Sequence, residues 1–264
     1  MKKKKEENLY IKDAQFYDLD NREVLKTDIP FYIDYASNIR GDILELACGT
    51  GRVTIPLAKA GFDIWGIELS ETMLNQLRSK MENIPYKYKE KLHLIKGDIS
   101  NFKINRKFSL ILLPCRSFQL LYDEKNEINC LRNVHEHLIE NGHFIIDVAD
   151  FVGEKGEDWV NDEETFDWEN IDPNTGYKIR RTHIKKKIDT IRQIIYPQKT
   201  YYITKEKVLI DKIVKISPWK YFKVDQVRNL LISNGFKIIN EMGSFDRVPI
   251  NQGTEFIFIC KRKN

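Results

Sequence analysis

The stretch GDILELACGTGR, residues 41–52, constrains the fold more than any other part of this chain. DILELA (42–47) reads as a buried strand, and it runs directly into a turn with glycine at positions 49 and 51. Glycine has no Cβ, so the backbone can turn tightly there and come close to a ligand. RVTIPLAKAG (52–61) then reads as a helix. Pro56 falls near its first turn, where proline is tolerated, and Gly61 closes it. Strand, glycine turn and helix in that order open a parallel α/β sheet.

The alternation continues. FDIWGIELS (62–70) is a second strand, and Ser70 with Glu71 caps and charges the start of the helix SETMLNQLRSKM. LHLIKGD (92–98) and KFSLILLP (107–114) are the third and fourth strands. DEKNEINCLRNVHEHLIENG (123–142) predicts a helix ending at Asn141-Gly142, with HFIIDVAD (143–150) as strand five. Strands separated by helices require right-handed crossovers, so the expected domain is a doubly wound, mostly parallel sheet.

From about Phe151 to residue 220 the helical period gives way to alternation, as in YKIRRTHIKKKIDTIRQIIYPQKTYYITKEKVLIDKIVKI. This predicts an antiparallel β insertion at 151–220. KVDQVRNLLISNGF restores a helix, and FKIINEM and EFIFICKRK supply further strands, so 41–150 and 221–264 are expected to form one domain, preceded by an N-terminal helical segment at 1–40.

Composition narrows the class. The net charge of +4 on 264 residues is too small for a nucleic-acid binder. Cys48, Cys115, Cys130 and Cys260 form no C-x-x-C pair, which speaks against a zinc site or disulfide framework and for a reducing cytoplasm. MKKKKEENLY has no apolar run behind its lysines, so it is not read as a signal peptide, and no stretch is long and apolar enough to span a membrane.

In open α/β sheets ligands bind at the carboxyl ends of the strands. Here the first end carries Gly49 and Gly51, the second Glu68 and the third Asp98. A carboxylate at position 68 can accept two ribose hydroxyls, and one at 98 can accept an exocyclic amine such as adenine N6. Any one such acid alone reads equally well as a turn residue; three strand ends in register point to a nucleoside. The dinucleotide fingerprint would require a third glycine where Thr54 stands, and Glu45 and Glu68 bring negative charge to the turn. A cationic, phosphate-free nucleoside fits better than a pyrophosphate.

The ordered series ELACGTGR, GIELSETML, IKGDISNF, FSLILLP and LRNVHEHLIENGHFIID resembles class I S-adenosylmethionine-dependent methyltransferases, strongly over 40–150 and in architecture over 221–261. That resemblance implies a seven-stranded sheet with an antiparallel last strand and S-adenosyl-L-methionine as cofactor. It places Glu45, Ala47, Gly49 and Gly51 around the methionine moiety and Glu68 on the ribose. Leu69 and Met73 would lie beside the nucleoside, Asp98 and Ile99 on adenine, and Leu113 below the sulfonium. DAQFYDLD (13–20) is similar to the N-terminal helix that closes over the cofactor in many members, with Tyr17 the expected lid residue; Phe16 and Tyr17 read equally well as packing residues.

For the acceptor, PCRSFQLL (114–121) follows strand four and makes Arg116 and Phe118 candidates, with helix-start packing as the alternative. The D/N-P-P-Y tetrapeptide of enzymes that methylate nucleic-acid amines is absent, since 113–116 reads Leu-Pro-Cys-Arg. The acidic segment 153–172, with Trp159, Phe166 and Trp168, suits a cationic acceptor; its basic neighbour 177–187 equally permits cross-strand charge pairing. In size and layout the chain is similar to plantazolicin-type N-methyltransferases, which dimethylate an N-terminal arginine amine of a modified peptide. The expectation is methyl transfer to an amine of a small molecule or short peptide. O-methylation, nicotinamide-dependent hydride transfer and a non-catalytic cofactor-binding role remain alternatives, and no general base or metal ligand stands out.

Overall fold

The computed structural model describes residues 14–22, 25–150, 152–153, 156–253 and 255–263. The lysine tail, Asp13 and the expected boundary at Phe151 lie outside these residues.

A 3-10 helix, Ala14–Leu19, and helix α1, Asp28–Ser37, precede the sheet domain. The domain then runs β1 (Ile43–Leu46), α2 (Thr54–Lys59), β2 (Ile64–Glu68), α3 (Glu71–Glu82), α4 (Tyr86–Lys89), β3 (Leu92–Lys96) and β4 (Phe108–Leu113). A 3-10 turn, Ser117–Leu120, leads to α5 (Glu124–His137) and β5 (Leu138–Ala149); α6 (Val224–Ser233), β11 (Phe236–Met242) and β12 (Glu255–Arg262) complete it. The seven strands lie in the order β11-β12-β5-β4-β1-β2-β3. β1 pairs in parallel with β2 and β4, while β12, the last strand, is antiparallel to both β5 and β11.

All four residues of β1 and all six of β4 are buried, which is why their sequences are almost unbroken apolar runs. Alternate side chains serve two cores. Leu44, Leu46, Ile111 and Leu113 pack toward α5 and α6, and Ile43, Leu110 and Leu112 toward α1 and α2. Helices therefore cover both faces, and the carboxyl edge between β1 and β4, where the strand order reverses, remains for a ligand.

One boundary differs from the sequence reading. Helix α5 stops at His137 and β5 begins at Leu138, not after Gly142. Leu138 pairs with Phe108 and His143 with Leu110, so residues between them form a bulge, with Asn141 at φ +60°. Asn-Gly serves the bulge instead of a helix stop; the two demand the same left-handed backbone, so sequence alone does not separate them. The short helix α4 was not expected.

Residues 161–220 form a second, antiparallel sheet: β6 (Asn161–Ile171), β7 (Lys178–Asp189), β8 (Ile194–Lys205), β9 (Val208–Ile216) and β10 (Trp219–Lys220), ordered β10-β8-β7-β6 with β9 also on β8. A 3-10 turn, Gly156–Trp159, precedes it. The N-terminal 3-10 helix sits on this sheet: Phe16 and Leu19 share a core with Trp168, Ile179, Tyr201 and Ile203. No helix among the described residues is long and apolar enough to cross a membrane.

Candidate functional site

The turn after β1 takes three residues into the left-handed region: Ala47 (φ +56°), Gly49 (+55°) and Gly51 (+81°). Its entry is tied to β2 by the Cys48 N–H on the Ile67 carbonyl at 2.9 Å, and it closes with the Gly51 N–H on the Cys48 carbonyl at 2.9 Å. A Cβ on Gly49 would meet nothing within 4 Å, so its backbone faces open space.

That space is a cavity of about 300 Å³ at the carboxyl ends of β1 to β4. Ala47 and Gly49 line it from the first end, Glu68 and Leu69 from the second, Asp98 and Ile99 from the third. Met73 borders it from α3 and Tyr17 from the N-terminal 3-10 helix. Eight of the residues singled out in the sequence thus converge on one space.

Glu68 is buried, and its carboxylate accepts the Gly49 N–H at 3.0 Å and the Ser70 N–H at 2.7 Å. Desolvation raises its pKa, and these backbone donors oppose the shift. Each carboxylate oxygen has a second lone pair, so two hydroxyl donors from a ligand can join without displacing the backbone. Asp98 receives the Ser100 N–H at 2.8 Å and the Ser100 hydroxyl at 2.7 Å, both on Oδ1. Its Oδ2 leaves an acceptor for an amine. A half-exposed Leu69 supplies an apolar flank, so the lining suits a ring system with a diol on one side and an exocyclic amine on the other.

The other candidates lie elsewhere. Glu45 is 2% exposed behind the turn, where its Oε2 accepts the Thr54 hydroxyl at 2.5 Å and burial pushes its pKa up to about 8. Gly51 backs onto Leu77 of α3, and Leu113 is fully buried in the α5-side core. Phe118 packs on Phe222 with ring centroids 5.7 Å apart. Phe16 sits against Tyr201, and Trp159 shares a small core with Val152, Ile195 and Tyr221. Arg116 stands at φ +60°, directly after Cys115 at +61°; its N–H donates to Asp147 Oδ2 at 2.9 Å and its guanidinium pairs with Glu255. Asp147 also accepts the Tyr32 hydroxyl at 3.0 Å, and burial raises its pKa to about 6. His135 and His137, on α5, are engaged in packing: His137 Nε2 accepts the Ile104 N–H at 3.1 Å.

Sequence reasoning missed the wall beyond β4, where Ser117, Leu120 and Leu121 line the cavity together with Tyr122, Asp123 and Asn126. Asp123 carried a signal: it caps α5, its side chain accepting the Lys125 N–H at 3.0 Å.

The profile of a family described as "Methyltransferase domain" matches residues 43–142. The putative methyltransferase YqeM of Bacillus subtilis (strain 168) is 30% identical over 110 residues, 41% of this chain and 42% of that protein. A dTDP-3-amino-3,4,6-trideoxy-alpha-D-glucopyranose N,N-dimethyltransferase of Streptomyces venezuelae is 29% identical over 119 residues, 45% of this chain and 47% of that one. The chain thus spans less than half of these two relatives. It covers 84% of a putative methyltransferase of Geobacillus sp. (strain WCH70), at 22% identity over 227 residues and 83% of this chain. Among solved structures, an S-adenosylmethionine-dependent methyltransferase from Clostridium acetobutylicum ATCC 824 superposes with a TM-score of 0.75 at 19% identity, over 95% of this chain and 96% of that one. The fold, the strand-end carboxylates and the matched domain thus agree: residues 43–142 are similar to a methyltransferase domain, and the whole chain shares the fold of a solved S-adenosylmethionine-dependent methyltransferase.

Proposed function

We propose that this protein transfers a methyl group from S-adenosyl-L-methionine to an amine of a small molecule or short peptide. The observation that carries the reading is the convergence of Gly49, Glu68 and Asp98 from three successive strand ends on one cavity. The cofactor supplies an activated methyl on a sulfonium; the chain's task is to hold it, align the acceptor and exclude water. Glu68 would hold the ribose diol and Asp98 with Ile99 the adenine. The turn at 47–51 would hold the amino-acid end, with Glu45 and Thr54 bracing it from behind.

Nitrogen is favoured over oxygen by the names of two relatives, the Streptomyces venezuelae N,N-dimethyltransferase and a cypemycin N-terminal methyltransferase of Streptomyces sp. We place the acceptor between the seven-stranded domain and the inner face of the insertion, beside Tyr17. Arg116 lies near that side: its left-handed turn, held by Asp147, is strained backbone at the carboxyl end of β4.

Calorimetric titration with S-adenosylhomocysteine, with NADH in parallel, tests the cofactor. Micromolar binding of the first alone supports the reading; binding of NADH alone replaces it with hydride transfer. Labelled methyl transfer to arginine-headed peptides, amino sugars and their hydroxyl counterparts then separates N- from O-methylation.

A further inference from the structure

The inner face of the insertion sheet is supported at both ends by other parts of the chain. Along β7 the odd-numbered side chains from 179 to 185 share one face, because β7 pairs with β8 without interruption from Lys178 to Lys185. Ile179 packs against Phe16 and Leu19 of the N-terminal segment. Arg181 pairs with Asp20 at 3.1 Å, at the end of the same segment. Lys185 lies 5.7 Å over the ring of Trp159, in the turn that follows the carboxyl end of β5. His183 stands between these two supports. One flank is the segment whose Tyr17 lines the cofactor cavity; the other follows the fifth strand's carboxyl end.

The histidine is built in. Its Nδ1 lies 2.8 Å from Asp167 Oδ1, while Asp167 Oδ2 takes the Arg181 Nε at 2.9 Å. The His183 side chain is 24% exposed and that of Asp167 is 9% exposed. The pairing with Arg181 and His183 holds the Asp167 carboxyl below its ordinary range although burial opposes it, so it is an ionised acceptor. An ionised acceptor at Nδ1 keeps the hydrogen on Nδ1 and leaves Nε2 bare in the neutral ring. A bare imidazole nitrogen oriented by a carboxylate is the arrangement of a general base. The charged groups on this face around it are Asp167 from β6, Arg181 and Lys185 from β7, Lys199 opposite it on β8, Lys215 beyond that on β9, and Asp20 from the N-terminal segment.

Resting on the methyltransferase reading above, we infer that His183 is the base of the reaction and that Asp167 is its positioning residue. An ammonium acceptor gives its proton to His183 Nε2, and the N–H electron pair stays on nitrogen. That nitrogen attacks the methyl carbon as the carbon–sulfur bond breaks, and the bonding pair leaves on sulfur. The product is a methylated ammonium beside an imidazolium, which returns its proton to solvent.

The test needs no acceptor. Nitrogen-15 imidazole spectra of the full chain are recorded against pH with S-adenosylhomocysteine and with sinefungin, which carries an ammonium where the cofactor carries its methylsulfonium. The His183→Gln variant assigns the signal. The expected result is an Nδ1–H tautomer with a titrating Nε2, and a midpoint lower by about half a pH unit or more with sinefungin, the effect of a nearby positive charge. Asp167→Asn should abolish the tautomer bias with S-adenosylhomocysteine affinity within about threefold of the parent, roughly the scatter of distant sites. An Nε2–H tautomer, or equal midpoints with both ligands bound, overturns the assignment of His183 and leaves the cofactor reading intact. Failure of both ligands to bind removes the cofactor reading and this inference with it.

Discussion

The Glu68 carboxylate accepts the backbone N–H of Gly49 at 3.0 Å across the mouth of the cavity. One side chain at the end of β2 therefore orders the glycine turn after β1 and faces the same space. Replacing Glu68 with Ala is expected to weaken S-adenosylhomocysteine binding by about 1.5–3 kcal/mol, the scale of a charged hydrogen bond. Titration calorimetry reads it directly. Undiminished affinity would remove Glu68 from the ribose.

Much of this site could be read in advance because its parts are local. A buried strand, a glycine turn and an acid at the next strand end are each spelled within a dozen residues, and parallel topology alone places them side by side. The wall formed by Ser117, Leu120 and Leu121 is different. It is a 3-10 turn whose exposed side depends on Phe118 packing against Phe222, about a hundred residues away. Phe118 and Trp159 were equally illegible: an aromatic near a site looks the same in sequence whether it faces a ligand or a core. His183 gave no signal, because the meaning of its face comes from what covers Ile179 and Lys185 in three dimensions.

The N-terminal segment is clamped from two sides. Asp20 pairs with Arg181 of the insertion, and Asp18 accepts the Thr50 hydroxyl at 2.7 Å in the glycine turn. Asp20→Ala leaves Arg181 with Asp167 and the Trp168 ring and also removes the Arg22 pair on Asp20; losing the Arg181 contact is worth about 1–3 kcal/mol, the scale of a charged hydrogen bond. Deuterium uptake over residues 14–22 should rise while β1 and β4 stay protected, and S-adenosylhomocysteine should dissociate several-fold faster. Unaltered protection of 14–22 would show that Phe16 and Leu19 hold the segment without the ion pair.

Glu45 makes stability depend on pH. Its folded pKa, about 8, lies above the ordinary carboxyl value, so the native state holds a proton that the unfolded chain releases. Stability from this group is full below about pH 4.5 and declines as pH rises toward 8, by up to roughly 4 kcal/mol. Glu45→Gln can still accept the Thr54 hydroxyl but does not ionise. The variant should gain stability over the parent between pH 5 and pH 8 in urea unfolding; parallel profiles would mean that Glu45 titrates normally.

Gly49 and Gly51 both have positive φ, yet the same substitution should act on them differently. A Cβ on Gly51 would lie 2.3 Å from Leu77 Cδ1 and 3.3 Å from Ile55 Cγ1, so Gly51→Ala combines left-handed strain with overpacking. The expected loss is about 2–4 kcal/mol, seen as a lower melting temperature. A Cβ on Gly49 meets no protein atom within 4 Å, and Gly49 lines the cavity. Gly49→Ala should lose only about 1–2 kcal/mol of stability from backbone strain. Its methyl would occupy the space where a ligand must approach the backbone, so S-adenosylhomocysteine affinity should fall tenfold or more. Thermal unfolding and calorimetry on the two variants separate the roles: a large melting shift with near-normal binding in the stable fraction of Gly51→Ala, and the reverse in Gly49→Ala. Equal losses of affinity per molecule folded would mean that the turn acts as one rigid unit, with no division between a glycine that packs and a glycine that faces the cofactor.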